Sequence, residues 1–288
     1  MNEAIQAMLG RYKARTLDEQ VQALKEIIQE VALLGLWRAK FFERAAFHGG
    51  TALRLLHGLP RFSEDLDFSL LRREDDFRVS AYESALQREL AAFDFEVSVS
   101  RKEKQDPASR IESAFIKANT RVHLIKIRSP FKTQANAALK VKVEIDADPP
   151  GGFETEVKPH FQPIPFSIRT FTPPCLFAGK LHACLCRPPR DQVKGRDWYD
   201  FLWFVSRNTP VHLPHLQRRM EQTGDWSAKE ELNLSRLHRL LRDKIAALDL
   251  ARAKQDVSPF IKESSDLDAW SEDLFLAAVE RIRCGSSK

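Results

Sequence analysis

Asp65 and Asp67 stand one residue apart in LDF, near the end of the stretch FHGGTALRLLHGLPRFSEDLDFSL, residues 47–70. On an extended strand both side chains point to one side, about 7 Å apart, while Leu66 and Phe68 turn to the other. Two carboxylates at that spacing repel each other unless a cation sits between them. Magnesium suits the gap, because it prefers oxygen ligands and commonly takes one or two carboxylates together with phosphate oxygens. The plainer alternative is a pair of solvent-facing aspartates on an edge strand. A short strand that is apolar on its other face and follows a glycine turn favours the metal.

Gly49 and Gly50 form that turn. Lacking a Cβ, they let backbone approach a ligand closely. Thr51 then opens a helix, TALRLLHGL, whose first amide groups attract anions. A triphosphate is expected there. A third carboxylate is available in LKVKVEIDAD, where Lys142, Glu144 and Asp146 share the face opposite Val141, Val143 and Ile145. If this strand neighbours the first, Glu144 or Asp146 completes a two-metal site or accepts a proton from an attacking hydroxyl. Glu144, nearer the middle, is the preferred candidate; a polar sheet face with Lys142 and Glu144 paired across strands is the alternative. Farther on, Lys180 and Arg187 fall on one helical stripe. Asp197 and Asp200 lie in RDWYDFLWF, a helix so apolar that it must be largely buried. Asp197 can cap the helix start. Asp200, among Trp198, Tyr199, Phe201 and Leu202, needs a partner, for which Lys180 and Arg187 are the candidates. Structural ion pairing and a catalytic lysine–aspartate arrangement both satisfy these residues.

These groups need elements to position them. Leu17, Val21, Leu24, Ile27, Ile28, Val31 and Leu34 recur at steps of three and four, so the first 46 residues read as helix, with Asp18, Glu19 and Glu26 off the apolar face. From about residue 47 to 171, LDFSL, FEVSVS, ESAFIKA, RVHLIKI, LKVKVEIDAD and PFSIRTF read as strands, with a helix over Val79–Phe93. Such a meander predicts a mixed sheet, not a doubly wound parallel one. After Thr172-Pro173-Pro174 five helical segments follow: LFAGKLHACLCR, RDWYDFLWFVSR, LPHLQRRMEQ, KEELNLSRLHRLLRDKIAALDL and DAWSEDLFLAAVERIR. The expected organisation is an α/β (α+β) domain over 1–172, including an N-terminal helical segment 1–46, and a helical C-terminal domain over 173–288.

The formal charge is +5, and locally basic segments occur at 101–104 (RKEK), 126–132 (KIRSPFK) and 187–196 (RPPRDQVKGR). Each alone reads as a solvated face; together they favour a polyanionic partner such as nucleic acid. No run approaches the roughly 20 apolar residues of a membrane span, and the N-terminus has no secretory pattern. A cytoplasmic protein is expected. Cys175, Cys184, Cys186 and Cys284 lack the spacing of a zinc knuckle, so reduced structural cysteines are expected.

The order FHGGTALRLL, RFSEDLDF, KLHACLCRPPR and KGRDWYDFLWF, which condenses to GGT–RxSxDxD–KxxA–RDxxD, resembles the AbiEii/MenT group of nucleotidyltransferase toxins from about Phe47 to Val205. The resemblance implies a minimal nucleotidyltransferase core of DNA polymerase β type with an appended helical domain. It implies magnesium-dependent (Mg2+) transfer of a nucleotide from a nucleoside triphosphate to the 3′ end of tRNA, which blocks translation, and a cognate antitoxin protein. Carried over by position, Gly49, Gly50, Thr51 and Ser63 match the triphosphate motif, and Asp65 and Asp67 the metal-binding carboxylates. Lys180 matches the family lysine and Asp197 with Asp200 the last acidic motif. Transfer to a protein or small-molecule hydroxyl is a second reading, since the fold does not choose the acceptor. A non-catalytic protein that binds RNA or antitoxin is a third.

Overall fold

The computed structural model describes residues 3–14, 16–74, 76–101, 120–128, 139–187 and 193–285. Two compact units emerge. The first comprises Met1–Leu56, Phe62–Pro149 and Thr155–Thr170; the second comprises His57–Arg61, Pro150–Glu154 and Phe171–Lys288. Among the described residues no helix is long and apolar enough to cross a membrane.

The first unit begins with helices α1 (Glu3–Tyr12) and α2 (Leu17–Arg38). Thr16 starts α2 by accepting a hydrogen bond from the Glu19 amide at 3.1 Å, an N-cap that satisfies one otherwise unpaired donor. The predicted apolar stripe faces the core: Leu24, Ile27, Ile28, Val31 and Leu34 are all buried. Glu26, expected off that face, is buried as well. It accepts from Arg54 Nε at 2.8 Å and from the Tyr12 hydroxyl at 2.8 Å, so a carboxylate here joins α1, α2 and a third helix. Helix ends at Arg38 rather than continuing to residue 46. Lys40 takes a left-handed conformation (φ 60°), and β1 (Ala45–His48) follows.

Next come α3 (Gly49–His57), β2 (Asp65–Leu70), α4 (Ser80–Ala92), β3 (Glu96–Arg101), β4 (Thr120–Arg128), β5 (Leu139–Asp146), β6 (Thr155–His160) and β7 (Phe166–Phe171). The strands form one mixed sheet in the order β3-β4-β5-β2-β1-β7-β6. β2 runs antiparallel to β1 and parallel to β5, which places it in the interior of the sheet. β1 and β6 were not anticipated. AAFH is too short to show alternation, and β6 carries Pro159, which a strand tolerates at the sheet's edge. ESAFIKA (112–118) lies outside the described residues, as do 102–104, 129–132 and 188–192 of the three basic segments.

Beneath β2 an aromatic cluster sets the strand's height. Phe68 meets Phe41 edge-on at 4.9 Å between ring centroids and Phe47 at 5.1 Å, and Phe41 meets Tyr82 of α4 at 5.0 Å. Such pairs add roughly 0.5–1.5 kcal/mol each beyond their burial.

The second unit is helical: α5 (Pro173–Cys186), α6 (Gly195–Ser206), α7 (Leu213–Thr223), α8 (Leu234–Ala246), α9 (Leu250–Val257) and α10 (Glu272–Val279). The helix expected across 229–250 starts only at Leu234, because Asn233 caps it through the Arg236 amide at 3.0 Å. Asp249 caps a separate helix, α9, through the Arg252 amide at 3.0 Å. α6 packs on α9 with no room for a side chain at Gly195, where an added Cβ would lie 1.8 Å from the Ala253 carbonyl oxygen. Gly195→Ala must push two backbones apart, and about 2–3 kcal/mol of stability should be lost in urea unfolding.

Candidate active site

Alternation along β2 is as its sequence predicts: Leu66 and Phe68 are buried, Asp65 and Asp67 half-buried. β5 alternates in the same sense, with Val141, Val143 and Ile145 in the core and Lys142, Glu144 and Asp146 on the other face. The register then decides what meets what. Asp65 lies across from Lys142, and Asp67 across from Glu144. Directly opposed residues of neighbouring strands share a face about 5 Å apart. Asp146 instead lies across from Ser69 and accepts from the Asp148 amide at 3.0 Å. Of the two candidates for the third carboxylate, Glu144 is the one level with the aspartates.

Lys142 is part of this face. Its ammonium pairs with Glu144. Burial works against that charge, but Glu144, Asp65 and Asp67 outweigh it and hold the lysine above its usual pKa. Three carboxylates therefore act on one positive charge, and the Lys142–Glu144 pair forms within β5 rather than across strands. All the acidic donors are hard oxygens, the ligand type that magnesium takes.

The glycine turn is fitted to the carboxylates. Gly49 adopts φ 81°, and a Cβ there would fall 2.3 Å from Asp67 Oδ2. Only glycine satisfies both the left-handed conformation and that approach. The Thr51 hydroxyl, fully buried, donates to the Asp65 backbone carbonyl, so Thr51 ties the start of α3 to the start of β2. Gln29 Nε2 donates to the Ser63 carbonyl at 3.1 Å and anchors the segment entering β2. His48, the last residue of β1, lies across from Asp67; sequence alone gave no partner strand on which to place it.

The second unit gathers the basic and acidic residues of its motifs. Lys180 Nζ reaches Asp197 Oδ1 at 3.1 Å and Asp200 Oδ2 at 2.8 Å. Arg187 Nη2 reaches Asp197 Oδ2 at 2.6 Å. The second partner of Asp200 is one the sequence reading missed. Arg61, 2% exposed, grips it with Nε and Nη2, each at 2.6 Å, and Asp200 is 0% exposed. Burial opposes the Arg61 charge and Asp200 more than offsets it, so the guanidinium stays ionised. Burial alone would also raise Asp197, but Lys180 and Arg187 pull it down to about 2.

Comparison with known proteins settles the family. Residues 31–278 match the family described as Nucleotidyl transferase AbiEii toxin, Type IV TA system. The chain belongs to the AbiEii nucleotidyltransferase toxin family. It is a nucleotidyl-transferring enzyme. Two solved structures share the fold. One is JHP933 from Helicobacter pylori, 17% identical, with a TM-score of 0.52 and coverage of 90% of each chain. The other is an H. pylori protein, 17% identical, with a TM-score of 0.50 and coverage of 89% of this chain and 92% of the other. No curated protein is similar enough to count as a match.

In this AbiEii-family chain the clue to Arg61 was the arginine that opens RFSEDLDF. A carboxylate sunk in an apolar helix needs more than one donor, and a forked guanidinium supplies two in fixed geometry. Arg61→Ala leaves Asp200 to Lys180 alone and should cost about 3–5 kcal/mol in urea unfolding; Arg61→Lys, which lacks the fork, should recover only part of that. Asp197 has a pH signature. Folding lowers its pKa from 3.8 to about 2, so its contribution, of order 2 kcal/mol, is complete above its unfolded pKa and is lost as pH falls through the folded one. The stability gap between wild type and Asp197→Asn should be full at pH 6 and should narrow below about pH 4.

Proposed function

We propose that this enzyme transfers a nucleotide from a nucleoside triphosphate to an RNA hydroxyl, with the 3′ end of tRNA as the acceptor and magnesium as the cofactor, and that the transfer blocks translation as the toxic act. The observation that carries the reading is the shared face of β2 and β5, with Asp65 and Asp67 level with Lys142 and Glu144 and with Gly49 closed against Asp67. Asp65, Asp67 and Glu144 are the residues to hold the metal. When bound, the ion lowers the charge barrier to attack at the α-phosphorus.

The chain's own groups then do the positioning. Backbone amides at Gly49 and Gly50, at the N-terminus of α3, receive phosphate oxygens, and Ser63 adds a hydroxyl just ahead of β2. Lys180 meets the charge on departing pyrophosphate, and Arg187 is the second phosphate-directed cation. Asp197 and Asp200, with Arg61, hold the lysine's ammonium where their hydrogen bonds aim it. Little bond chemistry falls to the protein in such a transfer, so orientation and electrostatics account for most of the rate. A surplus of five positive charges supports RNA as the acceptor, and family membership supports a cognate antitoxin as partner.

Incubation with magnesium, total tRNA and each radiolabelled triphosphate in turn tests the reading. Wild type should label RNA with a preferred nucleotide, more weakly as salt rises, and Asp65→Ala should lose about 100-fold or more. Label on protein instead of RNA would move the acceptor; label unaffected by Asp65→Ala would overturn the site.

A further inference from the structure

The second unit contains a cluster of candidate metal ligands to which the proposed reaction assigns no role. His182 and Cys186 are four residues apart on α5 and so project from one face of the helix. Asp225 follows α7, just after Gly224, whose left-handed φ of 80° turns the chain. A ring nitrogen of His182, the Cys186 sulfur and a carboxylate oxygen of Asp225 all lie within 4.8 Å of one another. Hydrogen bonds already organise them. Cys186 bonds to Asp225, and the Thr223 hydroxyl contacts His182 Nε2 at 3.2 Å and Asp225 Oδ2.

We propose that His182, Cys186 and Asp225 form a binding site for a zinc-like divalent cation. Imidazole, thiolate and carboxylate are the three protein ligand types zinc takes, with bonds of about 2.0–2.3 Å. Bonds of that length set tetrahedral ligand atoms roughly 3–4 Å apart, so small side-chain adjustments close the present spacing. Thr223 orients two of the three ligands, as hydrogen-bonding groups around metal sites commonly do.

Neighbouring charge narrows the choice of ion. Arg219 acts electrostatically on both His182 and Cys186, Arg187 on His182, and Lys244 on Cys186. Such surroundings disfavour magnesium or calcium, which bind through charge and oxygen alone. A metal that bonds strongly to thiolate tolerates them better. The fourth position is left for water or an incoming ligand. The bound ion ties α5, the helix of Lys180, to the end of α7 and should raise the thermal midpoint when added to metal-free protein. All four cysteines are free, as expected; Cys175 and Cys184 are buried and Cys284 is exposed, and the proposal adds a ligand role for Cys186.

Cobalt(II) titration of reduced, metal-free full-length protein gives a readout independent of activity. A sulfur-to-cobalt charge-transfer band reports thiolate ligation and is silent for cobalt on the β2 and β5 carboxylates. The band should saturate at one equivalent, fade when zinc is added and persist in excess magnesium. It should vanish in Cys186→Ser, while His182→Gln and Asp225→Asn should weaken cobalt binding at least about tenfold. No band in wild type, or a band that survives Cys186→Ser, overturns the site. Should Cys186→Ser fail to fold, the exposed Asp225→Asn decides, and cobalt affinity equal to wild type overturns the proposal.

Discussion

Burial of Leu66 and Phe68 on one side of β2 is the constraint on which the carboxylate face depends. Side-chain direction in a strand has a period of two, so the core contacts of Phe68 with Phe41 and Phe47 dictate where Asp65 and Asp67 point. A slip of one residue would bury both carboxylates and expose both hydrophobes, a large penalty that holds the register. The parallel pairing with β5 extends the same logic to Lys142 and Glu144. Gly49 and Thr51 then lock the turn against the strand, one by lacking a side chain and the other by a hydrogen bond to Asp65.

The second unit solves a different problem, ionised groups held away from water. Arg61, Lys180 and Arg187 face Asp197 and Asp200 in a connected network. Desolvation makes such a network costly to assemble, and it survives because nearly every charged atom has a close partner. An apolar arrangement of similar volume would fold at least as well. What the network provides is a lysine ammonium whose position is overdetermined by two carboxylates.

Two kinds of donor set divide between the two units. Aspartate and glutamate oxygens in the first match a hard ion that accompanies phosphates. The mixed histidine, cysteine and aspartate set in the second matches a softer one. The first set lies on β2 and β5 beside the glycine turn, and the second on α5 and the segment after α7.

Much of the carboxylate face was legible because it rests on local rules. Alternation placed Asp65 with Asp67 and Lys142 with Glu144, and the order of the glycine turn, helix and acidic strand suggested phosphates and metal before any strand was paired. The helices after residue 172 were legible for the same reason, since apolar periodicity and caps act within a few residues. Nothing local could reveal β1, whose four residues become a strand only through β2 and β7, or tell that Glu144 and not Asp146 lies across from Asp67, which took the β2–β5 register. Arg61 found Asp200 across 139 residues of chain, and Asp225 came beside His182 and Cys186 by the packing of α7 on α5. The sequence by itself determined which residues share a strand or helix face, because backbone geometry repeats every two or 3.6 residues. Tertiary structure alone decided which faces meet, because that choice depends on burying the whole core at once.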